Sequence, residues 1–162
     1  MPALIRCLFV LLILPQIASA QVGIGFGGVA HDGSQPVEVT ADALTVNRES
    51  GNAVFSGNVL IVQGDLRMAA GEVEVIYLET ATGTDIDRVV ATGGVLLTRG
   101  EDAAEGIEAE YSVADAIVTL TGNVLVTQGP TAIAGDQMVV DLNTGSGTVS
   151  GQVRTTLQGS SP

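Results

Sequence analysis

Apolar and polar positions alternate along most of this 162-residue chain. Over residues 53–62, Ala53, Phe55, Gly57, Val59 and Ile61 share one parity, against Val54, Ser56, Asn58, Leu60 and Val62. Later stretches repeat the pattern with Val89, Ala91, Gly93, Val95 and Leu97, with Val118, Leu120, Gly122, Val124 and Val126, and with Val149, Gly151 and Val153. The faces opposite carry Thr92, Thr98, Thr119, Thr121, Asn123, Thr127, Gln152 and Arg154. A period of two predicts half-buried β-strands, with the first set turned inward. A second type of strand is expected over residues 37–46, 66–77, 106–113 and 131–142, each closed by a polar turn. The best helical alternative is 102–113, but there Ile107, Ala109 and Tyr111 alternate with Glu108 and Glu110, again a period of two.

The strands belong to a repeat. Gly57-Asn58-Val59-Leu60-Ile61-Val62-Gln63-Gly64 returns as Gly122-Asn123-Val124-Leu125-Val126-Thr127-Gln128-Gly129, with looser copies from Gly93 and Gly151. The leading glycines stand 36, 29 and 29 residues apart. That spacing predicts stacked β units, each covering the apolar side of the next. Laid side by side, the copies put Phe55, Ala91, Leu120 and Val149 in one interior column and Val59, Val95, Val124 and Val153 in a second. The glycine between the columns has no side chain, so the sheet can bend there or leave space inside. The second unit carries about seven extra residues around 78–87, which predicts a longer loop at one edge of the stack.

Composition narrows what such a scaffold can do. The chain is 46% hydrophobic with a formal charge of -12, and it has no lysine. Beyond residue 20 only Arg48, Arg67, Arg88, Arg99 and Arg154 face the 18 carboxylates. That balance excludes a nucleic-acid ligand, which is held by neutralising phosphates, and adsorption to an anionic leaflet through a basic patch. Cys7 is the only cysteine and His31 the only histidine, so neither a thiolate nucleophile nor a His-based triad or zinc site is expected in the domain. Glu108 and Glu110 read as a solvated strand face, not an acid–base pair. No metal, no cofactor and no catalytic residue is predicted.

Residues 1–20 carry Arg6, an apolar run over 7–14 and a small-x-small ending in Ala18-Ser19-Ala20, which predicts a cleaved signal peptide. Residues 21–36, with five glycines, read as a flexible arm. One domain is expected over 37–157, followed by a polar tail at 158–162. Cleavage would leave an exported protein without a disulfide, held by its core or its partners.

Several segments together resemble the LptA family of periplasmic lipopolysaccharide export proteins, also known as the organic solvent tolerance protein A (OstA-like) family. They are the signal-like start, Ala41-Asp42, residues 53–64, Ala70-Gly71, residues 116–129 and Ala134-Gly135-Asp136. The likeness covers roughly 37–157. It implies an all-β fold, repeated antiparallel strands forming an open β-jellyroll trough. It also implies that the interior binds the acyl chains of lipopolysaccharide, and that copies or homologous domains join end to end as a bridge across the periplasm. The implied partners are β-jellyroll domains of an inner-membrane anchor protein and of an outer-membrane translocon. The chain is short for that family and has no lysine, so only its arginines remain to meet lipid A phosphates.

Within this resemblance the candidate trough lining is Phe55, Val59, Ile61, Leu97, Leu120, Val124, Val126 and Val149. On the residues alone the same side chains fill a closed core equally well, and Met68 and Met138 read as core filling. Arg67, Arg88 and Arg99 are the candidates for phosphate contact, since a planar guanidinium fork suits phosphate. Asn58, Asn123, Gln63 and Gln128 read as turn and strand-end residues. Val39 and Val153 mark the expected edge strands for end-to-end association, because residues 148–156 hold one charge and no proline to block pairing. Two other readings stand beside the soluble carrier. One is an inner-membrane-anchored relative of the same fold, and the other is a structural β-repeat protein with a closed core.

Overall fold

The structure, a computed structural model, describes residues 21–27 and 35–157. The signal-peptide reading, His31 and the polar tail lie outside the described residues. Among the described residues thirteen strands form one open, antiparallel arrangement that does not close into a barrel. They are β1 (Gln21–Gly25), β2 (Val37–Thr40), β3 (Ala43–Val46), β4 (Ala53–Gln63), β5 (Leu66–Thr80), β6 (Gly83–Thr92), β7 (Val95–Arg99), β8 (Asp102–Gly106), β9 (Glu108–Ser112), β10 (Ile117–Gln128), β11 (Thr131–Asp141), β12 (Ser146–Ser150) and β13 (Arg154–Leu157).

The long strands each serve two neighbours. β4 pairs β3 with its first half and β2 with its second. β5 meets β7 and then β6. β10 meets β9 and then β8, and β11 meets β13 and then β12. Each such strand therefore passes from one sheet into the other, and the apolar parity is trapped between them.

The corner is written in the repeated phrase. Gly57-Asn58, Gly93-Gly94, Gly122-Asn123 and Gly151-Gln152 all have positive φ, from 42° to 85°. The β4–β5 and β10–β11 registers shift at those points, between Ser56 and Val59 and between Thr121 and Val124. Two successive left-handed residues turn the strand sharply, and glycine followed by a short amide is the sequence that accepts this at least strain. A Cβ on Gly93 would stand 3.2 Å from the Gly71 Cα, backbone against backbone, so a side chain there would push the strands apart. Asn58 Nδ2 donates to the Asp42 carboxylate at 2.7 Å, and the Asp42 N–H donates to the Gly57 carbonyl at 2.9 Å. Asp136 N–H to the Gly151 carbonyl repeats the second bond. The turn reading of the Gly-Asn pairs holds.

The interior column is present, with one change. Register pairs run without a break from Leu44 through Phe55, Val73, Ala91, Ala109, Leu120, Met138 and Val149 to Val22. Copies of the repeated phrase thus lie mostly on alternate strands, with the second strand type between them. The other column keeps Val59, Val95 and Val124, paired with Ala70, Gly106 and Gly135.

Three expectations are corrected. The extra residues around 78–87 are not a loop. They lengthen the β5–β6 hairpin, which turns at Ala81-Thr82 and carries Tyr77, Leu78 and Ile86 beyond the rest of the sheet. The arm is not free at its start, because β1 pairs with β12 and Phe26 is completely buried. That pairing covers β12, so residues 148–156 are not one exposed edge. Val153 itself precedes β13 and packs against the core outside any strand. Val39 does sit on β2, the last strand of the sheet path.

Candidate functional site

The sheets diverge toward the end built from β2 to β6 and leave a cavity of about 410 Å³. Its wall comes from four strands of that end, β2, β4, β5 and β6, together with β9, Val113, β10 and Leu142. Val39, Phe55, Ile61, Leu66, Met68, Val75 and Val89 line it, together with the fully buried Val118 and Leu142. Tyr77, Ile86, Val113 and Val37 form the rim, where exposure rises to 54% at Val37. Alternation explains the lining: each strand sends every second side chain inward, and the extended hairpin adds Tyr77 and Ile86 as a lip.

The polar contribution is small. Gln63 lies at one end, its amide donating to the Gln35 carbonyl at 3.0 Å. Tyr77 and Tyr111 contribute phenol groups, and burial pushes the Tyr111 hydroxyl above the usual tyrosine pKa. No charged side chain lines the wall. Such a surface offers dispersion and burial to an apolar guest and nothing for bond-making chemistry. Among the described residues no group of three His, Cys, Asp or Glu is placed to hold a metal.

The eight candidate lining residues divide between two places. Phe55 and Ile61 line the cavity. Val59, Leu97, Leu120, Val124, Val126 and Val149 are at most 1% exposed and sit in the sealed core between the sheets. Met138 is core as expected, whereas Met68 faces the cavity. Sequence parity identified the inward direction but not where the sheets part. The residues it missed, Leu66, Val75, Tyr77, Val89 and Tyr111, belong mainly to the strands between the repeated phrases. Their signal was the same alternation, read on the less repetitive segments.

The arginines do not gather at the cavity. Arg67 is exposed on the outward parity of β5. Arg88 is exposed and lies 3.4 Å from Asp87 and 3.8 Å from Glu110. Arg99 is buried at the turn end of β7, its Nε donating to Asp65 at 3.1 Å, which removes it from the candidates for phosphate contact. Glu108 and Glu110 are exposed on either side of buried Ala109, a solvated strand face as expected.

Residues 38–146 match the family described as LptA/(LptD N-terminal domain) LPS transport protein. The chain belongs to this family. It is a family of lipopolysaccharide-transport proteins and not of enzymes. A relative from Rhizobium meliloti (strain 1021), the uncharacterized protein R00383, is 29% identical over 98 residues. The match takes in 57% of this chain and 53% of that protein, so the chain spans about half the length of this curated relative. Among solved structures, LptH from Pseudomonas aeruginosa superimposes with a TM-score of 0.63 at 19% identity, covering 77% of this chain and 96% of that one. LptH is described as the LptA-homologous periplasmic component of a conserved lipopolysaccharide transport device. At that identity the likeness is one of fold, and it agrees with the open two-sheet architecture described above.

Proposed function

We propose that this protein is a periplasmic carrier that shelters an acyl chain of lipopolysaccharide in the cavity between its sheets. It passes the lipid on as one link of a bridge from inner to outer membrane. The observation that carries this reading is the largely apolar, uncharged cavity of about 410 Å³ at the open end of a sheet stack in this family. The volume lies at the small end of the range of about 300–1,000 Å³ for ligand pockets, which suits one chain better than a whole lipid. Roughly ten methylenes buried at about 0.8 kcal/mol each would supply some 8 kcal/mol before the cost of ordering, enough for reversible holding without charge pairing. An anionic lipid is thus gripped by its tails, consistent with a chain of charge -12.

A photocrosslinking residue at Tyr77 or Phe55 should trap lipopolysaccharide in living cells, while one at outward-facing Glu110 should not. Crosslinks only from outward positions would sink the carrier reading. The bridge half of the reading is motivated by β2 and β3, whose Val37, Leu44 and Val46 are all more than half exposed at the sheet end. An unguarded apolar edge of this kind invites strand addition by a neighbour of like fold. Replacing Leu44 and Val46 together by lysine should leave a folded monomer and abolish longer species in sedimentation. Unchanged association would remove that end from the bridge.

A further inference from the structure

Three polar side chains reach the wall of the cavity, and they are not equivalent. Gln63 is engaged at one end through its bond to the Gln35 carbonyl, and Tyr77 stands at the exposed rim. Tyr111 lies further in. Register sets it between Val89 on β6 and Val118 on β10, with Val75 next along the same row, and its side chain packs against the core. Its neighbours on that row are all valines.

The Tyr111 phenol has no hydrogen-bond partner among the described residues, and its pKa is raised by burial alone. Tyrosine hydroxyls drawn into an apolar site ordinarily find a partner. Phenylalanine would fill the same space without that requirement. A phenol bordering a cavity is satisfied by water, and a guest that displaces the water must replace its hydrogen bond or leave the hydroxyl bare. The bare hydroxyl costs roughly tenfold in affinity. An aliphatic wall by itself grades chains weakly, by length. A wall that hydrogen-bonds a hydroxyl discriminates more strongly against the analogue that lacks one.

We infer that Tyr111 is a specificity-determining residue, which selects acyl chains bearing a hydroxyl group over plain saturated chains. The inference rests on the carrier reading above and names which chains the cavity takes. A hydroxyl is the matching group because phenol and alcohol each donate and accept, so the pair forms in either direction, whereas a keto or ester oxygen only accepts. Depth is set by the strands. Val75, on the row of Tyr111, is two residues from Tyr77 at the rim, about 6–7 Å of strand. The matching hydroxyl therefore belongs a few carbons in from the polar end of the chain and not at its far tip. No charged side chain lines the wall to compete for it.

Competition against a fluorescent acyl probe on the full-length protein tests this with three tetradecanoates. One is plain, one is hydroxylated close to its carboxylate, and one is hydroxylated at its far end. The parent protein should bind the second about tenfold more tightly than the first. It should bind the third less tightly than the first, because that hydroxyl meets only aliphatic wall. Tyr111→Phe keeps the ring and removes the oxygen. It should weaken binding of the second acid and tighten that of the first, bringing the preference below about twofold, a crossover that a purely structural role would not produce. Should that variant not fold, the profile of the three acids on the parent protein decides. A preference below about twofold in the parent, an equal gain for both hydroxylated acids, or a preference kept in folded Tyr111→Phe overturns the inference. Binding without preference overturns this inference alone, whereas failure of all three acids to displace the probe overturns the carrier reading and this inference with it.

Discussion

Leu120 and Phe55 lie on the same register row, and the structure gives them opposite roles. Leu120 is fully enclosed between the sheets, whereas Phe55 is half-buried on the cavity wall. Truncating Leu120 to alanine removes three methylene-sized groups, worth about 0.8 kcal/mol each, and leaves a sealed void that neighbouring strands can only partly fill. The expected loss is about 3 kcal/mol, inside the range of about 2–5 kcal/mol for buried leucines. Truncating Phe55 opens no new sealed void, because the ring already borders open space. Only partial burial is lost, roughly 1–2 kcal/mol.

Binding should show the reverse order. Phe55→Ala removes apolar wall from the cavity and should weaken binding of a fluorescent acyl probe about tenfold, equivalent to about 1.4 kcal/mol. Leu120→Ala, at a temperature where it remains folded, should change it less than twofold. Urea unfolding gives the stability of both variants, and probe titration gives the affinities. If Leu120→Ala costs under about 1 kcal/mol, the core there is not closed as described. If it weakens probe binding more than Phe55→Ala does, the division between sealed core and lipid cavity is wrong.

Three further outcomes follow from single sites. Asn123 has φ 49° at a corner, so Asn123→Val should cost about 1–2 kcal/mol in urea unfolding, while Asn123→Gly should stay within about 0.5 kcal/mol of the parent; equal costs would remove backbone strain as the reason for the Gly-Asn pair. Arg99 is buried with its NH1 unpartnered and one bond to half-exposed Asp65, so Arg99→Met should be nearly neutral, whereas Asp65→Ala, which leaves the charge without its partner, should cost about 2 kcal/mol; the opposite order in thermal unfolding would contradict this. In Tyr77→Phe protein Tyr111 is the sole tyrosine, and absorbance titration should place its ionisation above the ordinary value near 10, higher still with the cavity filled. Because the folded state holds that proton more tightly, stability from Tyr111 is complete below pH 10 and falls as pH rises through the raised pKa; an ionisation at or below 10 would mean the phenol is not desolvated.

Much of the architecture was legible because the information was local. Period-two alternation needs only neighbouring residues, and it assigned the inward parity of Phe55, Leu120 and Val149, which the register then joined into one row. The Gly-Asn pairs signalled corners, since few sequences accept two successive left-handed residues. The cavity was not legible, and the reason is geometric. Val124 and Ile61 look alike in the sequence, each inward on a repeated phrase, yet Val124 is sealed and Ile61 borders open space. What separates them is how far the two sheets diverge, which the sum of many corner angles and the length of the β5–β6 hairpin determine. No single residue carries that quantity.

The seat of residues 21–27 was hidden for a related reason. Five glycines over 21–36 read as an arm, and glycine content is evidence about backbone freedom, not about where the backbone comes to rest. The partners that fix it, Asp102, Gln128 and Arg99, lie at least 72 residues away and look like ordinary turn residues of the repeat. Gln128 shows how repetition misleads. Its counterpart Gln63 occupies the same place in the first phrase and holds the Gln35 carbonyl, just before β2. Gln128 reaches the Gly25 carbonyl at the end of β1. The same strand-ending amide therefore secures the chain on either side of residues 28–34. A repeat thus supplies not only stacked strands but two equivalent fasteners, and the N-terminal segment is held by one at each end.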